Sequence, residues 1–85
     1  MIKTRAYAHA LRTHNIPVLF ATFQAHYKKN NQEMKDMLLK HGVIGITYAT
    51  YHRWKSDSQA PRGLSVLAIE AALESAAKEL DEKTS

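Results

Sequence analysis

Apolar residues along this chain recur at helical spacing, and no run alternates strictly between apolar and polar as a half-buried strand would. The expectation is an all-α fold, a compact bundle of about five helices. A first helix starts after Thr4, carries Tyr7, Leu11 and His14 along one face, and stops before Ile16-Pro17, because proline disfavours helical geometry in the residue preceding it. Pro17 is tolerated in the first turn of a second helix, where Leu19, Phe23 and Tyr27 recur every four residues with Phe20 beside them. This aromatic helix is expected to be core.

Asn30 and Glu33 then stand three apart, the spacing at which each side chain can bond the other's backbone N–H and start a helix. Met34, Met37, Leu38 and His41 follow on one face, and this third helix should end near Gly42. Val43, Ile44, Gly45 and Ile46 are too few and too glycine-bounded for a strand and predict a short apolar turn. Thr47 is placed to cap a fourth helix over residues 48–55. After a polar loop, Pro61 is placed to open a fifth helix over residues 61–82 with Val66, Ile69, Leu73, Ala76 and Leu80 along its stripe. Glu74 with Lys78, and Glu79 with Lys83, have the i,i+4 spacing of favourable pairs, and residues 81–85 are expected to fray.

The 85 residues suit one domain and leave little room for a deep catalytic pocket. With no cysteine, disulfides, zinc ribbons and thiol catalysis drop out. The basic start, Met1 to Arg5, is not followed by an apolar run of signal-peptide length, and no eighteen-residue apolar run occurs, so a cytoplasmic location without membrane contact is expected. Charge is unevenly placed. Residues 1–64 carry ten Lys/Arg against Glu33, Asp36 and Asp57, a net of +7, whereas residues 65–85 carry two basic and five acidic residues, a net of −3. That asymmetry suits a basic body facing a polyanion and an acidic terminal helix turned away from it.

The run Gly45-Ile46-Thr47-Tyr48-Ala49-Thr50-Tyr51-His52-Arg53-Trp54-Lys55-Ser56 resembles the turn and recognition helix of helix-turn-helix DNA-binding domains of the phage-repressor and transposase type. The resemblance spans roughly residues 32–56. It departs from the usual pattern at His41, where a small residue normally lets the two helices touch, and at Gly42, which interrupts the preceding helix. A longer turn over residues 42–46 would accommodate both. The resemblance implies a sequence-specific, double-stranded DNA-binding transcriptional regulator, a small repressor of a phage, plasmid or bacterium acting as a homodimer. A recombination factor such as an excisionase would use the same contact helix, and a protein-binding module or inhibitor that keeps the shape is a reading of a different class.

The residues themselves divide the fourth helix in two. Tyr51 and Trp54, three apart, should pack inward with Ile44 and Ile46 against Phe20 and Phe23. Thr47, Tyr48, Ala49, His52 and Arg53 are left for DNA, with Lys55, Ser56 and Arg62 following. Arg53 can fork onto a guanine edge or grip a phosphate, Ala49 offers a methyl surface to thymine, and Tyr48 and His52 can hydrogen-bond bases or phosphates. Thr47, at the positive helix end, suits a backbone phosphate. Lys28, Lys29, Lys35 and Lys40 could add a flanking non-specific footprint. The alanines at 71, 72, 76 and 77 would permit close helix approach, with core completion expected over residues 64–73 and dimer contact weighed for residues 76–80. The five histidines lack metal-ligand spacing, and no glycine-rich phosphate loop or nucleophile motif is present. Neither enzymatic activity nor a metal or small-molecule cofactor is expected.

Overall fold

The computed structural model describes residues 2–84 and contains five helices and no strand among them. These are α1 (Arg5–Thr13), α2 (Ile16–Tyr27), α3 (Asn31–Lys40), α4 (Tyr48–Lys55) and α5 (Leu64–Thr84). Local chemistry sets most of the boundaries. The Thr4 hydroxyl accepts from the Tyr7 amide at 3.2 Å to start α1, and Asn15 accepts from the Val18 amide at 3.4 Å to start α2. Asn30 and Glu33 form the reciprocal capping box, at 2.8 and 3.0 Å, that opens α3. α1 ends as His14 turns left-handed at φ +55, and α2 ends in the same way at Lys28, φ +56.

The core draws on α2, α3, α4 and α5. Leu19, Phe20 and Phe23 from α2, Met34 and Leu38 from α3, Tyr51 from α4, and Ile69 and Leu73 from α5 are all fully buried. Within α2, α3 and α5 these residues recur three or four apart, so one stripe of each supplies apolar surface that drives collapse, and α4 adds the single Tyr51 ring. α2 packs against α1 and α4, and α3 packs against α4 and α5. Ile2, ahead of α1, closes the far end of the same cluster. Leu11 shares the inward side of α1 only marginally, at 38% exposure, and His14 instead reaches Glu70 of α5, with Nδ1 2.7 Å from its carboxylate.

Three expectations about the C-terminal third are corrected. The fifth helix begins at Leu64 rather than Pro61, because Gly63 takes a left-handed φ of +54 that a continuing helix cannot contain. It runs through Thr84, and Asp81 is held by the Tyr27 hydroxyl at 2.9 Å, so residues 81–84 belong to the helix; Ser85 lies outside the described residues. Ala76 and Ala77 are buried within the chain's own core beside half-buried Leu80, whereas Leu64 and Leu67 are exposed. The apolar positions that complete the core therefore extend to Ala76, Ala77 and Leu80, whereas the start of the helix, over residues 64–67, contributes only through half-buried Val66. Of the two expected ion pairs, Glu79 with Lys83 forms at 3.2 Å. Among the described residues Glu74 and Lys78 make none.

Candidate nucleic-acid interface

α3 and α4 are joined by a turn over residues 41–47 that is longer than a two-helix corner of three or four residues. His41 closes α3, Gly42 swings the chain through φ +116, and Val43 and Ile46 tuck into the core at 6% exposure each. Ile44, between them, is 92% exposed, which corrects the expectation that it packs inward with Ile46. Ile44 sits between two residues that turn inward, and with Gly45 at φ +80 its side chain is left on the outside of the turn. His41 does not separate α3 from α4 either. It turns to α5, where Nδ1 lies 2.9 Å from the Ser75 hydroxyl and Nε2 lies 2.8 Å from Glu79.

α4 is fixed to the body by one side. Tyr51 is fully buried with its ring 4.6 Å from that of Phe20, and its hydroxyl donates to the Gln24 carbonyl oxygen. Burial raises the Tyr51 pKa, so the hydroxyl stays a neutral donor. Trp54, expected to share that burial, is only partly buried and packs against the core from its edge. It lines a 140 Å³ cavity with Pro17, Pro61 and Val66.

Positions 48, 49, 52, 53 and 56 fall together on the opposite face of α4 at helical spacing. Tyr48, Ala49, His52, Arg53 and Ser56 are all exposed. The side chains of Tyr48, His52 and Arg53 make no hydrogen bond or ion pair among the described residues. Two further residues are partly occupied. Thr47 caps the helix, accepting from the Thr50 amide at 3.2 Å, and the Ser56 hydroxyl donates to the Arg53 carbonyl at 3.3 Å. Arg62 is exposed in the loop that leads to α5. Lys55 is set apart from this face, half-buried with its ammonium donating to Asn31 at 3.0 Å.

That contact belongs to a polar network invisible in the helical pattern. Gln24 accepts from Tyr51 and donates to the Lys29 carbonyl at 3.0 Å and to the Asn31 side chain at 3.1 Å, while Asn31 also takes the Lys55 bond. One side chain thus ties the end of α2, the start of α3 and the length of α4 together. The only hint in the sequence is a glutamine inside the most apolar helix. The expected lysine footprint divides similarly: Lys35 pairs with Asp36 at 2.5 Å and Lys40 with Glu79 at 2.8 Å, whereas Lys28 is exposed on the α2–α3 turn with no acidic partner among the described residues.

Fold and surface together define an all-helical protein that presents one short, aromatic and basic helix to solvent. No family model matches the chain, and neither does any curated protein or solved structure. Among the described residues no helix is long and apolar enough to cross a membrane, and no three potential metal ligands come together.

Proposed function

We propose that this protein is a sequence-specific regulator that binds double-stranded DNA as a homodimer, with α3, the turn and α4 acting as a helix-turn-helix and α4 entering the major groove. The observation that carries this reading is the division of α4: Tyr51 locks one side, and the other leaves Tyr48, Ala49, His52 and Arg53 uncovered and uncommitted. A rigidly mounted helix with free donors is what base-edge readout needs, since each donor must meet a base atom at hydrogen-bond distance. Arg53 is the main base or phosphate contact, and Tyr48 and His52 flank it. Ala49 supplies apolar contact, and Thr47, Ser56 and Arg62 position the helix against the backbone, whereas Lys55, held by Asn31, is left out of the contact set.

Basic residues at the end of α4 also complement its negative terminus, which needs no DNA. An operator recovered from a random duplex pool distinguishes the two. Arg53→Ala should then weaken operator binding by about 1 to 3 kcal/mol while leaving the melting temperature unchanged. Binding to random duplex should fall steeply with salt, through counterion release. Equal affinity for the variant removes Arg53 from the interface. An absence of duplex binding at low salt removes the whole reading and favours a protein-binding module.

A further inference from the structure

Between α1 and α5 runs an open groove of about 500 Å³, lined by Tyr7, Leu11, Ala71, Ala77, Glu70 and Glu74 among others. Its α5 rim continues into an exposed apolar stripe, Leu64 at 82% and Leu67 at 58% exposure, with Ala71 following. The spacing of three and four puts these residues on one side of the helix. Its α1 rim continues past exposed Leu11 and Ala8 to Arg5 and Arg12. The α1 rim thus ends in Arg5 and Arg12, whereas on α5 Glu70 and Glu74 face the groove, with Leu67, Ala71, Leu64 and exposed Lys78 beyond them. Glu74 and Arg12 have no ion-pair partner among the described residues, whereas Glu70 is already engaged by His14.

We infer that this face is the interface between two copies of the chain, joined about a two-fold axis that lays α1 of each copy against α5 of the other. The inference rests on the dimeric part of the reading above and gives it a surface. Self-complementarity is the deciding feature: a two-fold interface sets the same patch against itself, so a face bearing one sign of charge would repel its copy. Here the rotation brings Arg12 to Glu74 of the partner subunit twice across Leu11, with Leu64 and Leu67 adding apolar contact outside that pair. α4 lines none of this groove.

The apolar centre is small. Three leucines and two alanines fall well below the roughly 800 Å² per partner of a standard interface, so the free dimer is in equilibrium with monomer and is reinforced when both copies hold adjacent half-sites. Coupled half-site binding follows from that weakness.

Sedimentation equilibrium of the free protein up to millimolar concentration tests this, with R12E and E74R as the variants. Both residues are exposed, so the melting temperature serves as the control for folding. Wild type should show reversible dimerisation, and each variant alone should weaken it about tenfold or more, because like charges then oppose at both ends. Mixing R12E with E74R should restore dimerisation, since in the mixed pair both contacts again join Glu to Arg. A wild type that stays monomeric, variants that associate like wild type, or a mixture that fails to recover each overturns the inference. The measurement contains no DNA, so its failure leaves the Arg53 operator result standing, and loss of operator binding leaves this result standing.

Discussion

Tyr51→Phe isolates the bond that holds the exposed helix in place. The ring stays, so its 4.6 Å contact with Phe20 and its complete burial are kept, and only the hydroxyl donating to Gln24 is removed. Gln24 is part-buried, and its carbonyl oxygen then lacks that donor, which costs about 1 to 2 kcal/mol, the lower part of the range for an orphaned acceptor that water can partly reach. For a domain of this size that is a fall in melting temperature of about 5 to 15 °C. Thermal and urea melts followed by circular dichroism measure it. The second half of the cycle places the same change in a Gln24→Met background, where no acceptor is left to orphan and the additional cost should approach zero. A Tyr51→Phe cost below about 0.5 kcal/mol, within the scatter of ordinary substitutions, refutes the reasoning. So does a cost that persists unchanged when both positions are altered together.

Two further predictions concern positions outside that network. Glu79 is held at a pKa of about 2, below its ordinary 4.5, first by bonds from Lys40 and Lys83, with His41 also against its carboxylate. The unfolded chain therefore takes up this proton at higher pH than the folded one, so the stabilisation is full above 4.5 and is lost as pH falls towards 2. Glu79→Gln should flatten the melting temperature against pH across that window, and an unchanged slope would show that the bonds contribute nothing; molar salt should shrink the wild-type effect because the pairs are screened. Ile44→Ser should leave stability within about 0.5 kcal/mol of wild type, because the side chain is 92% exposed, and a larger loss would place it in contact with the core after all.

Much of the architecture was legible in short-range spacing. The capping box at Asn30 and Glu33, the Thr47 cap and the aromatic repeat of α2 depend on residues three or four apart, and the structure has each as expected. The Tyr51 anchor is one such case, since the position of its burial follows from the face it shares with the turn. Trp54 was harder, because a residue at the margin of a stripe is buried only as far as its neighbours reach, and the loop over residues 56–63 leaves it at the rim.

The candidate site was legible in the same proportion. Tyr48, Ala49, His52 and Arg53 share a face by helical geometry alone, and the structure leaves that face open. Lys55, adjacent in sequence, is drawn away by Asn31, twenty-four residues earlier, and Gln24 acts across twenty-seven residues on Tyr51. Partners that distant have no fixed offset, so no periodicity announces them.

By itself the order of residues determined that this chain is helical, roughly where each helix starts and stops, and which side of each is apolar. Only the packed structure decided which of those apolar positions are used internally: Ala76 and Ala77 inside, Leu64, Leu67 and Ile44 outside. The reason is physical. Helix formation and capping are local equilibria among near neighbours, whereas burial depends on how the helices cross, and five stripes can cover one another only as far as their loops allow.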